Sequence, residues 1–258
     1  MVNKSDLVEI KKWFDVYVRQ FGTGDETFDS AIRLKIHHTN NVVVEILDIV
    51  NSLNAKAEDC ALAEIVAVLH DIGRFKQYAK YHTYSDLKSE DHAALGINVI
   101  KKTGVLNTLE PCDRELIETA IVHHNRAFLP KHMDSRVLFF LKLLRDADKI
   151  DILRIVTEHY SGVHMNGAVN NELPDNPEVS ESILQSIIRG ELVKFDELKT
   201  VNDFKLLQIS WVFDLNFPRT FEIIGARNYF DTIAASLPQT DSVQQARSVV
   251  RQRLAQKC

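Results

Sequence analysis

At 258 residues the chain is long enough to bury a sizeable core, as one large domain or as a domain with a smaller subdomain. An apolar fraction of 45% and a charged fraction of 26% are those of an ordinary soluble protein. A net charge of −5 lacks the basic excess of a protein that binds nucleic-acid polymers, yet it leaves room for a small basic pocket facing a phosphorylated metabolite. Cys60, Cys112 and Cys258 form no C-x-x-C pair, which argues against a disulfide framework or a thiolate zinc site. The opening MVNKSDLVEI has no apolar signal core, and no apolar run approaches the ~18 residues that span a bilayer. The expectation is a cytoplasmic protein without membrane contact.

Helical periodicity runs through nearly the whole chain and strand alternation almost nowhere, so the expected fold class is all-α. Leu7, Ile10, Phe14, Tyr17 and Phe21 make a first apolar stripe, with Asp6 and Glu9 resembling a capping box and Gly22 as its stop. A second helix is expected over about 28–53 and a third from about 59 to near Gly73. The segment 76–88 breaks periodicity and reads as a loop. Ser89 is the expected cap of a helix carrying His92, Leu95, Gly96 and Val99, and Asp113 that of the next, which reaches His124. Pro130 marks a break, and a long helix follows over 135–160. Gly162, Gly167, Pro174 and Pro177 make 161–177 a loop. Helices return over about 178–190 and 201–215, with one more on either side of Pro238. The expected organisation is an N-terminal helix (1–27), a metal-binding helical domain (28–160) and a C-terminal helical extension (161–258) packed on the same domain.

The 10 histidines need placing, because histidine is the commonest metal ligand among side chains. His38 continues the stripe Leu34, Val42, Ile46 and Ile49. His70 and Asp71 end the apolar run EIVAVLHDIG. His92 shares a face with Leu95 and Val99, His124 follows Ile117, Ala120 and Ile121, and Asp148 continues Val137, Leu141 and Leu144. Each polar residue therefore points toward the core. One such group buried without a partner is costly. Six of them directed inward make sense if they meet around a cation. Mixed His/Asp ligation suits Mn, Fe, Co, Ni or Zn, with Mg an allowed alternative.

The order His38, His70-Asp71, Asp148, in the stretches HHTNNVV, LHDIGRF and LRDADKIDIL, resembles the HD-domain superfamily of metal-dependent phosphohydrolases. His92 in SEDHAALG and His124 in AIVHHNR resemble the second-metal ligands of its dinuclear branches. The resemblance implies a helical bundle holding one or two divalent ions. It also implies hydrolysis of a phosphate ester or anhydride by metal-activated water, on a nucleotide or another small phosphorylated metabolite. No DGxGYP follows His123-His124, which argues against cyclic dinucleotides as substrate. Some members that resemble this chain in ligand order are di-iron oxygenases, and a non-catalytic nucleotide-binding regulatory module is a further alternative, against which the intact ligand set argues.

Neighbouring positions stay open. His123 competes with His124 as a ligand or substrate contact, while His37 falls off the stripe. Asp146 sits on a mixed face, and Asp146 and Asp151 are candidates to orient ligands. His159 and His164 read as surface residues. Between the ligand-bearing helices, RFKQYAKYHTYSDLKSED is mildly basic. Arg74 and His82 are expected to stabilise phosphoryl charge, with Lys80 and Arg126 as further substrate contacts. The region after Asp151 is expected to complete the pocket or to form a homo-oligomer contact.

Overall fold

The computed structural model describes residues 2–163 and 173–256, so His164, Gly167 and Cys258 lie outside the described residues. Among the described residues the chain is helical, with no strand. It divides into two compact units, 1–148 and 149–258.

The first unit begins with α1 (Lys4–Arg19). Its capping box sits at Asn3 and Asp6 rather than at Asp6 and Glu9: the Asn3 side chain accepts from the Ser5 and Asp6 amides, and Asp6 returns a bond to the Asn3 amide. α2 (Glu26–Ser52) is capped by Asp25, which accepts from the Phe28 amide at 2.8 Å. α3 (Ala57–Leu69) is buried along most of its length, from Ala61 through Leu69 save Glu64, because it packs against α1, α2 and α6 at once.

At His70-Asp71 the chain turns and at once restarts as α4 (Ile72–Tyr81). The expected loop over 76–88 is therefore half helix. Its apparent break came from Gln77, a polar residue that α4 buries together with Ile72, Gly73 and Phe75. The true connection is 82–91, entered through His82 in the left-handed region (φ 53°). α5 (His92–Thr103) is capped by Asp91, which accepts from Ala93 N at 2.9 Å. Ser89 instead donates to Ser85 O and accepts from Gln77. α6 (Pro111–His123) follows Glu110, with Pro111 at its start and Asp113 inside its first turn rather than at its cap. α7 (Ser135–Tyr160) has the expected bounds and crosses the division between the units.

The second unit contains α8 (Glu181–Ile188), α9 (Val201–Ser210), α10 (Pro218–Ala226), α11 (Tyr229–Ala235) and α12 (Asp241–Ala255). Two helices precede Pro238 instead of one, because Asn228, at φ 54°, breaks the run between α10 and α11. No described helix is long and apolar enough to cross a membrane.

The approach of α4 to α5 sets the position of His92. A Cβ on Gly73 would lie 2.1 Å from His92 O and 2.5 Å from Gly96 N, so the backbones meet where any side chain would collide. Gly73→Ala is expected to cost about 1–3 kcal/mol, the usual range for overpacking. A urea midpoint equal to that of the wild type would show that the two helices are not in contact there.

Candidate metal centre

The turn between α3 and α4 presents two adjacent groups to one place. His70 is fully buried, and its Nδ1 donates to Ala67 O at 2.7 Å, one turn back in its own helix. That bond puts the proton on Nδ1 and leaves a lone pair on Nε2, a buried atom with no hydrogen-bond partner. Asp71 sits at the N-terminus of α4 but makes no capping bond, so both carboxylate oxygens are turned to the surrounding side chains. His124, just past the last residue of α6, repeats the His70 device, with Nδ1 donating to Ile121 O at 2.6 Å. His92, the first residue of α5, donates from Nδ1 to Asp86 Oδ2 at 2.7 Å.

These groups surround the Asp71 carboxylate. Its Oδ2 lies 3.6 Å from His38 Nε2 and 3.7 Å from His70 Nε2. Its Oδ1 lies 3.4 Å from His92 Nε2 and 3.9 Å from His124 Nε2. Asp148, reaching in from α7, brings Oδ1 to 3.1 Å from His38 Nε2 and 3.8 Å from His70 Nε2. The potential ligand atoms of three overlapping sets around Asp71 and Asp148 lie within 4.8 Å of one another, His38/His70/Asp71, His70/His124/Asp148 and Asp71/His92/His124, and Asp86/Asp91/His92 make a fourth.

Burial pushes His92 and His124 down to about 4 and also lowers His70, so the imidazoles are neutral near pH 7. Burial works to raise Asp71, but Lys35 above all, and then His70, Arg74 and His92, hold it well below the usual carboxylate range. Burial works to raise Asp148 as well, but His38, His70 and His124 together hold it low. The donor set therefore fits a divalent transition cation. His92 Nε2 and His124 Nε2 face each other at 3.1 Å, and each is a lone pair because its Nδ1 donates elsewhere. Two neutral nitrogens facing in this way repel, and a cation between them and Asp71 Oδ1 removes the conflict.

The remaining sequence candidates lie elsewhere. His123, the last residue of α6, is half-buried and belongs to none of these sets, because adjacent helical positions diverge by ~100°. His82 is exposed at the far end of α4, about 16 Å along the helix from Asp71. Its ring rests on Phe28 and Tyr78. Lys80 is exposed and bonded to Glu90 at 2.7 Å, and Arg126 is exposed and bonded to Asp91 at 2.6 Å. Arg74 does stand beside Asp71, with Nε 3.5 Å from Oδ1. Its Nη1, however, donates to Gln77, to Tyr84 O and to Asp86, so it serves the 82–91 connection. Asp146 is fully buried, although its face carries Phe139 and Lys142, and Asp151 accepts from Arg154 at 2.8 Å. His37 is exposed and His159 half-buried.

Two residues were missed. Lys35 places Nζ 2.9 Å from Asp71 Oδ2. Its signal was its position three residues before His38, on the same helix face. Asp86, which donor groups of Arg74, Gln77 and His92 surround, lies in the basic stretch with no local pattern to mark it out.

Residues 36–160 match the HD domain family model. This segment is an HD domain. The family is one of metal-dependent phosphohydrolases, and the match spans all six clustered residues. No curated protein and no solved structure matches the chain. If the HD domain holds its cation through His70, adding Mn(II) to chelator-treated protein should raise Tm. The stabilisation is about 2.7 kcal/mol at a hundredfold excess over Kd. His70→Ala should lose the shift, and a shift of equal size in that variant would remove His70 from the site.

Proposed function

We propose that the chain hydrolyses a phosphate ester or anhydride of a small molecule, such as a nucleotide, at a pocket for two cations. The observation that carries this reading is the Asp71 carboxylate, which turns one oxygen to His38 and His70 and the other to His92 and His124. A carboxylate so shared suits two adjacent cations. His38, His70, Asp71 Oδ2 and Asp148 would hold the first, and Asp71 Oδ1, His92 and His124 the second. When bound, such ions supply Lewis-acid polarisation of a phosphoryl oxygen and lower the pKa of water from ~16 toward ~7.

The chain's own residues set the rest of the chemistry. The backbone carbonyls of Ala67 and Ile121 fix the tautomers of His70 and His124, so these rings need not reorganise. Asp71 stays anionic at neutral pH because Lys35 and Arg74 stand beside it. Lys35, with its side chain 17% exposed, is the cation best placed to meet an arriving phosphoryl oxygen, since its ammonium already lies against the carboxylate at the pocket.

The test is a panel of phosphomonoesters, phosphodiesters and nucleotides with Mn(II)-loaded protein. Asp71→Asn should abolish turnover and reduce binding at both cation positions. Lys35→Ala should lower kcat/KM by about 10–150-fold, the equivalent of a ~1.5–3 kcal/mol hydrogen bond to a charged group, when assayed at saturating Mn(II) with both cation positions filled. Oxygen consumption by iron-loaded protein, without phosphate release from any substrate, would replace the hydrolase reading with an oxygenase.

A further inference from the structure

The three histidines with resolved Nδ1 partners are anchored in two different ways. His70 and His124 donate to carbonyls of their own helices, which no side-chain substitution removes. His92 has no preceding turn to use, because it is the first residue of α5. Its Nδ1 donates instead to Asp86 Oδ2 at 2.7 Å, from the short 3-10 turn Asp86–Lys88. Asp86 is in turn gripped through Oδ1 by Arg74 Nη1 at 2.9 Å and Gln77 Nε2 at 2.7 Å. Gln77 is fully buried, and its amide also donates to Ser89 Oγ at 2.8 Å and to Glu90 O at 2.9 Å. A buried amide and a guanidinium thus lock the carboxylate that locks the ring.

We infer that Asp86 is a positioning residue that serves only the cation position formed by His92, His124 and Asp71 Oδ1, with Gln77 and Arg74 holding it in place. The inference rests on the two-cation reading above. Asp86 itself does not point into the pocket: its Oδ2 is taken by His92 Nδ1, on the side of the ring away from His124. Without that acceptor the His92 ring is free to rotate or to move its proton to Nε2, which removes the lone pair aimed at His124 and Asp71. The same loss leaves the position built on His38, His70, Asp71 Oδ2 and Asp148 without a broken bond, since the bonds of Asp86 run to Arg74, Gln77, His92 and Asn125. Weakening of about 10–100-fold is the usual effect of removing such an outer partner.

The test uses the full chain stripped of metal and titrated with Mn(II), with free ion read by electron paramagnetic resonance. Wild-type protein should bind two ions. Asp86→Ala and Asp86→Asn should bind the first with unchanged Kd and the second 10–100-fold more weakly. Asp86→Asn is close in size and keeps an oxygen for the ring, but it sets an amide against the donors of Arg74 or Gln77, so its defect should be the milder. In metal-free protein, long-range 1H–15N spectra should show His92 protonated on Nδ1 in the wild type and a mixture of tautomers in Asp86→Ala. Equal second-site affinity in both variants, or an unchanged His92 tautomer, overturns the inference. Loss of both ions in a variant whose circular dichroism and melting remain native also overturns it, because Asp86 would then act on the whole pocket. If Asp86→Ala does not fold, Asp86→Asn carries the test alone. A wild-type protein that binds one ion or none sinks the two-cation reading itself, an outcome distinct from any result on the variants.

Discussion

Asp71 is a carboxylate 3% exposed, and a bare charge at that depth is among the most costly things a fold can contain. Most of the first unit can be understood as the means of keeping it charged. Lys35 from α2 and Arg74 from α4 supply permanent positive charge within 3.5 Å. Four imidazoles from α2, the end of α3, the start of α5 and the end of α6 supply polar neighbours, and burial keeps those of His70, His92 and His124 neutral. The break between α3 and α4 is what makes this arrangement possible. A continuous helix would bond the Asp71 region into its own backbone ladder, whereas the turn opens the carboxylate in two directions at once.

The histidines show why the arrangement is set up for a ligand rather than for self-satisfaction. A core histidine in an ordinary protein donates through one nitrogen and accepts through the other. Here the donor side is satisfied in His70, His92 and His124, while the acceptor sides converge on one another and on carboxylates that are acceptors too. Acceptors facing acceptors cannot stabilise the chain alone. The close crossing of α4 and α5 at Gly73 holds them together despite the repulsion, so local packing sustains what electrostatics opposes.

Much of this was legible in the sequence wherever function lay on a regular apolar stripe. His38, Asp148 and His124 each continue a run of core residues, and helical period alone placed them inward. The bounds of α7 could be read for the same reason. Legibility failed where a buried position is polar. Gln77 breaks the stripe of α4 and so disguised half a helix as a loop, and Asp146 is fully buried on a face that reads as mixed. It failed again at chain ends of helices, where a cap rather than a period decides the direction of a side chain. Asn3 rather than Asp6 begins α1, and Asp91 rather than Ser89 begins α5, because the residue whose oxygen meets the free amides is decided by local geometry that composition does not fix.

The basic character of the stretch after Asp71 illustrates a more general limit of counting charges. Arg74 and Lys80, together with Arg126 after α6, suggest a positive cover that would draw an anion to the pocket. In the fold each has an acid assigned to it: Asp71 and Asp86 for Arg74, Glu90 for Lys80, Asp91 for Arg126. Paired in this way, their fields largely cancel within the ~8–10 Å over which salt leaves exposed charges visible to one another. If the substrate carries a phosphoryl group, the attraction that these paired charges do not provide falls to groups within the pocket. Lys35 and Arg74 contribute two positive charges there, against the three negative charges of Asp71, Asp86 and Asp148, so the chain alone leaves the cavity with a net negative excess. Only bound cations reverse that sign, which makes metal loading a condition for anion binding and not merely for the chemical step.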